Sequence, residues 1–249
     1  MTEAGKTMAI FGATSAIAQE TARILAAEGW QFVLCARNQE RLERLSRDLK
    51  VRGAQSTESV VFDALDAASI REAVTACVRT FPRLDVLLIA HGWLPEEADN
   101  EQHLETVHRC FQINFLSVAA IIGQILKEYA NTPPHTIAVI SSVAGERGRA
   151  RNFLYGAGKA ALTAYLSGLR QKYAGRGIHI LTIKPGFVDT PMTDHLDKNP
   201  LFASPKTVAK SICRAIERKK DILFVPWFWR PIMGVVRLLP ENLFKRLSI

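Results

Sequence analysis

The sequence of 249 residues lacks several features that define large classes of protein. Its four cysteines lie far apart without a C-x-x-C pair, so we expect reduced thiols and an intracellular protein. They are Cys35, Cys77, Cys110 and Cys213. No apolar run follows a basic start, which predicts that there is no signal peptide. No stretch of 18 consecutive apolar residues occurs, so we expect no membrane-spanning helix.

Acidic residues are in the minority, because 24 Asp and Glu face 32 Lys and Arg, which gives a formal net charge of +8. This excess favours an anionic partner such as a phosphorylated cofactor, an acidic lipid surface or nucleic acid. The sequence has neither zinc-finger spacing nor an RNP-like motif, so we expect no nucleic-acid partner and no metal site.

Short apolar runs alternate with longer amphipathic stretches. The runs that predict strands are 8–13, 32–36, 59–63, 85–90, 137–141, 179–186 and 221–226. The stretches that predict helices are 15–28, 38–51, 67–80, about 100–130, 153–174 and 204–219. This alternation predicts an α/β fold of the Rossmann type, with a doubly wound parallel sheet of about seven strands. We expect one domain over 1–226 and a C-terminal amphipathic tail over 227–249.

The segment FGATSAIAQE (11–20) follows the first predicted strand and opens a helix. Backbone N–H groups at such a turn face an anion, so we predict a pyrophosphate site there. Gly12 is the turn's one glycine, and alanine would be strained wherever positive φ is needed. A strand-to-helix turn without a ligand is the alternative. The cofactor contacts expected there are Gly12, Thr14, Ser15, Ala16 and Ile17.

The second predicted strand ends in CARN (35–38), which contains no carboxylate to bind a ribose 2′-hydroxyl. Arg37 could instead pair with a 2′-phosphate. The sequence therefore favours NADP(H), with NAD(H) as the alternative, unless Arg37 is merely a solvated loop charge.

Tyr155 and Lys159 are four residues apart, so they share one face of a helix. Ser142 precedes them at the end of the fifth predicted strand, at the edge where such sheets bind ligands. An ammonium near a phenol should lower the phenol pKa and let it exchange a proton with a carbonyl oxygen. We therefore predict carbonyl reduction, with Ser142 orienting the substrate oxygen and a nicotinamide carrying the hydride.

From about residue 7 to 226 the chain resembles the short-chain dehydrogenase/reductase family. The resemblance assigns Ser142, Tyr155 and Lys159 to the family's catalytic residues, and adds Asn114 of FQINFLS through a water-mediated proton relay. It also implies a homo-oligomer.

Further cofactor contacts follow from the same resemblance. Asp63 matches the residue that caps the adenine, and IAHG (89–92) replaces the family's Asn-Asn-Ala-Gly. That departure gives His91 a structural role in our interpretation. The remaining implied cofactor contacts are Ala90, Gly92, Pro185, Gly186, Val188 and Thr190.

Three segments resemble a narrower branch, the bacterial decaprenylphosphoryl-2-keto-pentose reductases of arabinose-donor synthesis. They are FDALD (62–66), SSVAGERGRARNFLYG (141–156) and PWFWRPIMGVVRLLPENLFKRL (226–247). Such a substrate carries phosphate, which Arg147, Arg149 and Arg151 could bind. The alternative is a solvated basic loop.

The tail from Trp227 onward combines aromatic, apolar and basic residues. Pro231 could occupy the first position of a helix that Pro240 interrupts. Its apolar side would be formed by Ile232, Val235, Val236 and Leu239. This pattern predicts an interfacial helix on an anionic membrane, with a lid or a subunit contact as alternatives.

Three hypotheses of function remain open at this point. The first is an NADP(H)-dependent ketoreductase acting on a lipid-linked keto-sugar. The second is a general 3-oxoacyl or sterol-type reductase, and the third is a nucleotide-sensing protein without catalysis. We expect a cytoplasmic protein, peripheral at the inner face of the membrane if its substrate is a lipid.

Overall fold

The computed structural model describes residues 5–96, 103–194 and 197–247. Seven parallel strands form one sheet in the order β3-β2-β1-β4-β5-β6-β7. Their bounds are Thr7–Phe11 for β1, Gln31–Ala36 for β2, Ser56–Val61 for β3, Val86–Ile89 for β4, Thr136–Ile140 for β5, His179–Pro185 for β6 and Ile222–Val225 for β7. The predicted doubly wound α/β fold is confirmed, and the reversal of strand order between β1 and β4 marks the expected ligand-binding edge.

Helices flank the sheet on both faces. They are α1 (Ala16–Ala26), α2 (Gln39–Val51), α3 (Ala67–Thr80), α4 (Leu104–Phe111), α5 (Ser117–Glu128), α6 (Phe153–Tyr173), α7 (Pro205–Glu217), α8 (Trp229–Leu238) and α9 (Glu241–Phe244). Alternate residues of each strand serve opposite faces: Met8 and Ile10 pack with α1, α2 and α7, whereas Ala9 and Phe11 pack with α3, α5 and α6. Two buried layers explain why the central strands are continuously apolar.

Two predicted elements differ from the structure. The third strand was expected at 59–63 but β3 spans Ser56–Val61, because an edge strand pairs on one side only and tolerates polar residues. The predicted helix over about 100–130 begins at Leu104 within the described residues and is interrupted by a π-helical turn, Gln112–Leu116. Positions 100–102 lie outside the described residues.

The lack of 18 consecutive apolar residues does not exclude a helix of membrane-spanning length and composition. The stretch Leu104–Glu128 is long and apolar enough to span a membrane by length and composition, with 44% of its most apolar window buried in the fold. It packs against α3 and α6 and supplies Val118, Ile121 and Ile125 to the core. Its apolar character is therefore explained by its place beneath the sheet.

The tail packs on the same domain. Trp229 and Met233 of α8 are buried in a small cluster with Val143, which follows β5. Helix α8 begins at Trp229, so Pro231 lies at its third position and not at its first; proline is tolerated throughout the first turn. The predicted apolar side is divided, because Val236 packs inward while Val235 is exposed.

Candidate active site

A cavity of about 720 Å³ opens at the carboxyl ends of the central strands. It is lined by the first turn, the segments after β4, β5 and β6, and the start of α6. The predicted site residues in its lining are Thr14, Ser15, Ala16, Ile17, Ala90, Gly92, Ser142, Arg149, Tyr155, Lys159, Pro185, Gly186, Val188 and Thr190. Parallel strands bring these distant segments to one edge.

The turn after β1 needs only one glycine. Gly12 has φ +82°, and a Cβ there would lie 2.4 Å from the backbone nitrogen of His91. Ala16 and Ala18 lie in α1, where φ is negative, so the strain that we anticipated for alanine does not arise. The turn thereby keeps its shape without the usual glycine-rich sequence.

The N-terminus of α1 suits an anion. Ser15 caps the helix by accepting a hydrogen bond from the Ala18 N–H at 3.2 Å. The first turn of α1 contains no acidic residue, so the positive end of the helix dipole is not neutralised there. These observations fit the diphosphate of a dinucleotide.

Ser142 and Tyr155 meet as the sequence predicts. The Ala144 N–H donates to Ser142 Oγ at 3.0 Å, and Ser142 and Tyr155 both line the cavity, with the serine close enough to influence the pKa of the phenol. Ser142 lies just after β5 and Tyr155 in the first turn of α6, so the close approach of these two segments sets the pair.

The pKa of Tyr155 is raised to about 12, not lowered as we expected, because burial outweighs the lowering effect of Ser142. Burial also lowers the pKa of Lys159 to about 8. Lys159 Nζ donates to the Ile140 carbonyl at 3.0 Å and lies 5.7 Å from the Tyr155 ring centroid. The phenol is therefore protonated near neutral pH, the form that can donate a proton to a substrate oxygen.

Asn114 fixes the segment after β4. Its amide accepts from the Trp93 N–H at 3.1 Å and donates to the Trp93 carbonyl at 2.8 Å. A Cβ at Gly92 would lie 3.1 Å from Asn114 Oδ1 and 3.4 Å from Lys159 Nζ, so glycine permits their close approach. The structure thus brings Asn114 beside Lys159, as the resemblance implies.

His91 is held within the protein. Its Nε2 lies 2.9 Å from Ser117 Oγ, which joins the segment after β4 to α5. Burial, with the nearby charge of Lys159, lowers the pKa of His91 to about 3, so the ring is neutral. This bridge agrees with the structural role that we assigned to His91.

Three predicted cofactor residues, Gly12, Arg37 and Asp63, lie outside the cavity lining. Arg37 is exposed at the end of β2, and Asp63 Oδ1 accepts from the Leu65 N–H at 2.9 Å. The lining instead includes Arg41 and Arg44 of α2, which the sequence analysis missed. Arg41 could have been predicted from the sequence, because it lies four residues after Arg37 and therefore near the same end of the sheet.

The wall after β6 is shaped by the tail. A Cβ at Gly186 would fall 1.9 Å from Trp229 Nε1, so only glycine leaves room for the buried indole. Phe187 packs edge-to-face against Trp229 at 5.5 Å between ring centroids. No described residue of the tail lines the cavity itself, so the tail braces the wall from behind and does not form a lid over the mouth.

The three loop arginines have different environments. Arg147 does not face a substrate: its guanidinium binds the Val236 and Leu239 carbonyls at 2.7 and 2.6 Å. That finding corrects the predicted role of Arg147. Arg149 lines the cavity, whereas Arg151 is exposed and outside the lining.

Comparisons with known proteins agree with this arrangement. A model of the short chain dehydrogenase family matches residues 6–201. An uncharacterized oxidoreductase of Mycobacterium tuberculosis is 32% identical over 238 residues, which cover 96% of this chain and 95% of that protein. One of Streptomyces coelicolor is 34% identical over 248 residues, with 98% and 96% covered. Mouse dehydrogenase/reductase SDR family member 7B is 28% identical over 255 residues, with 96% and 78% covered.

Two solved structures share the fold. A variant of actinorhodin polyketide ketoreductase with NADPH has a TM-score of 0.79 and 25% identity, and the match covers 89% of this chain and 95% of that one. A short-chain dehydrogenase from Sphingobium yanoikuyae in complex with NADPH has a TM-score of 0.80 over 95% and 97% of the two chains. At 21% identity, the second supports the fold alone.

Proposed function

The chain belongs to the short-chain dehydrogenase family, and on that premise we propose that it interconverts a ketone and a secondary alcohol with NADP(H). The observation that carries the proposal is that Ser142, Tyr155 and Lys159 line one cavity, with Lys159 Nζ 5.7 Å from the centroid of the Tyr155 ring. This arrangement also argues against the nucleotide-sensing alternative, because a protein that only binds has no need of it.

In the reductive direction the Tyr155 O–H donates its proton to the carbonyl oxygen, while the Ser142 hydroxyl donates a hydrogen bond to the same atom. The nicotinamide, when bound, supplies the hydride to the carbonyl carbon. Lys159, with its pKa at about 8, carries a proton near neutral pH and lies beside the Tyr155 ring. It favours the phenolate that proton donation leaves behind.

The residues of the site fit NADP(H). The α1 N-terminus suits the diphosphate, and Arg41 and Arg44 supply positive charge at the α2 side of the same cavity. Arg37, exposed one turn before Arg41, adds to that charge. The neighbour with 25% identity, a polyketide ketoreductase, was solved with NADPH, which agrees with this preference.

We propose further that the ketone is lipid-linked, as in a polyprenyl-phosphate keto-sugar. Support comes from the segments that resemble the decaprenylphosphoryl-keto-pentose reductases, and from the surface of the tail. Trp227, Val235 and Leu238 are 77%, 63% and 84% exposed. Arg230 and Arg237 of helix α8 are exposed as well. Apolar side chains with basic neighbours suit reversible contact with an anionic membrane.

A general ketoreductase is the second candidate function. It is favoured by the likeness to a polyketide ketoreductase. A panel of ketones with NADPH, followed by the absorbance of reduced nicotinamide, tests the shared chemistry. If no ketone is reduced and no alcohol oxidised, the proposed reaction is wrong.

The lipid part is tested separately with liposomes that contain or lack acidic lipid. The full chain should co-sediment with acidic liposomes, less so at high salt because each basic residue contributes about 1 kcal/mol that salt screens. The double variant Val235→Asp/Leu238→Asp should abolish sedimentation, whereas Val51→Asp, at an even more exposed valine on α2, should not.

Sedimentation that is indifferent to the tail substitutions would refute the membrane contact. If the double variant instead changes the oligomeric state, the exposed face of α8 is a subunit contact. The place of the protein at the inner face of the membrane depends on this result.

A further inference from the structure

Three of the described residues that line the cavity have a buried polar atom without a partner, and two of them, Arg149 and Asn152, lie on the turn before α6. Arg149 Nε and Asn152 Oδ1 are buried and make no hydrogen bond within the part of the chain that the structure describes. Both residues line the cavity with Ser142 and Tyr155. The Asn152 N–H donates to the Arg149 carbonyl at 3.1 Å, so the two side chains project from a single turn before α6.

The acids near this turn already have partners. Glu146 pairs with Lys184 at 2.5 Å and with Arg237 at 3.4 Å. Glu241 pairs with Arg147 at 2.7 Å. The carboxylates beside the loop are therefore committed elsewhere, and no ion pair to Arg149 is found among the described residues.

The rest of the cavity offers no counter-charge at this end. The one acid in the described lining is Asp48, which binds Arg23 and Arg52 between α1 and α2. Burial lowers the pKa of Arg149 from its ordinary value, yet a guanidinium remains charged. A half-buried cation without an anion is costly unless a ligand supplies one.

The start of α6 reinforces the positive character of this turn. Asn152 is the N-cap residue, but its side chain makes no capping bond, and the first turn contains no acid. The helix runs for 21 residues and directs the positive end of its dipole here. The two ends of a side-chain amide have nearly the same shape, so Asn152 can equally turn its N–H₂ towards an anion.

We propose that Arg149, with the Asn152 amide and the N-terminus of α6, binds an anionic group of the substrate, a phosphoryl group attached near the reacting carbonyl. This proposal rests on the proposed function, because the bound anion belongs to a substrate only if the ketone reaction takes place. It narrows the class of substrate to phosphorylated ketones. A phosphodiester next to a keto-sugar has this chemistry, and so has a small phosphorylated ketone.

Binding can be measured without turnover. Methyl phosphate is titrated calorimetrically into protein saturated with NADP⁺, so that the phosphate sites of the cofactor are filled. Arg149→Gln should weaken binding about 30-fold or more, because a hydrogen-bonded charge partner is lost. Arg149→Lys should restore part of it. Arg176→Gln, at an exposed arginine after α6, should match the wild type.

Turnover is compared on dihydroxyacetone phosphate and dihydroxyacetone. The ratio of kcat/KM for the phosphorylated over the neutral ketone should fall about 30-fold in Arg149→Gln and stay unchanged in Arg176→Gln. Acetoacetate, a ketone with a carboxylate, distinguishes a phosphoryl site from a general anion site. A larger loss on acetoacetate than on the phosphorylated ketone would reassign the site to carboxylates and overturn the proposal.

The two assays separate two kinds of failure. If the wild type reduces no ketone but methyl phosphate binding still depends on Arg149, the reaction is wrong and the anion site stands. If ketones are reduced while binding and the kcat/KM ratio ignore Arg149→Gln, the anion site is wrong and the reaction stands.

Discussion

Arg147→Met should release the tail from the domain without unfolding it. The Arg147 guanidinium binds the Val236 and Leu239 carbonyls at the end of α8 at 2.7 and 2.6 Å, and Glu241 at 2.7 Å. It also lies 3.7 Å from the centroid of the Phe244 ring. One side chain therefore holds the last turn of α8 and the start of α9, and methionine keeps its apolar stem but none of these bonds.

The size of the effect follows from these contacts. A hydrogen bond to a charged group contributes about 1.5–3 kcal/mol, and Arg147 makes two to carbonyls. The pair with Glu241 adds at most about 1 kcal/mol, because that carboxylate is 80% exposed. Since the freed carbonyls at the surface can bind water, we expect a net loss of about 2–4 kcal/mol. That loss corresponds to a rise in local opening of about 30- to 700-fold, at about 1.4 kcal/mol per tenfold.

Amide hydrogen exchange measures this opening directly. Exchange along α8 should accelerate by that factor in Arg147→Met, while amides of β1 and β4 at the centre of the sheet keep the wild-type rate. Arg246→Met is the control, because it removes a tail cation for which no side-chain contact is found among the described residues. Unchanged α8 exchange in Arg147→Met would show that burial of Trp229 and Met233 alone holds the tail.

Three further predictions concern the site. Tyr155→Phe should retain NADPH binding but lose about 10²–10⁴-fold in turnover, measured on a ketone that the wild type reduces; near-normal turnover would refute the assignment. NADPH should bind more tightly than NADH in a fluorescence titration, and the double variant Ala36→Asp/Arg37→Leu should reverse that preference. Equal affinities for the two cofactors in the wild type would refute a role of Arg37 in cofactor selection. Gly186→Ala should displace the Trp229 indole, because the added methyl would lie 1.9 Å from its nitrogen, and should accelerate α8 exchange as Arg147→Met does; unaltered exchange would refute the contact.

The placement of Ser142, Tyr155 and Lys159 in one cavity was predictable because their positions depend on local geometry. The spacing of Tyr155 and Lys159 fixes them on one helix face, and Ser142 follows a strand that is apolar from Ile137 to Ile140. The sheet order then brings these segments together whatever the loops do. The same reasoning located the first turn. It overstated the backbone strain of alanine there, because Ala16 lies in α1 and has helical geometry.

Long-range packing was not predictable from spacing. Nothing in the sequence joins Arg147 to residues about ninety positions later, so its role in the tail appeared only in the fold. The pKa of Tyr155 also depends on how deeply the phenol is buried, and a motif carries no measure of burial. The sequence predicted a single apolar side for α8. The helical periodicity does not show which of these apolar residues pack inward and which face solvent.

The Glu146 carboxylate joins three parts of the chain that emerge from the ribosome at different times. It belongs to the loop after β5, binds Lys184 of β6, and receives Arg237 from α8. A nascent chain that already contains six strands still lacks Arg237. It also lacks the carbonyl groups at the end of α8 to which Arg147 donates. The loop that carries Ser142 and Arg149 therefore gains its contacts with α8 only after the last strand of the sheet has been synthesised.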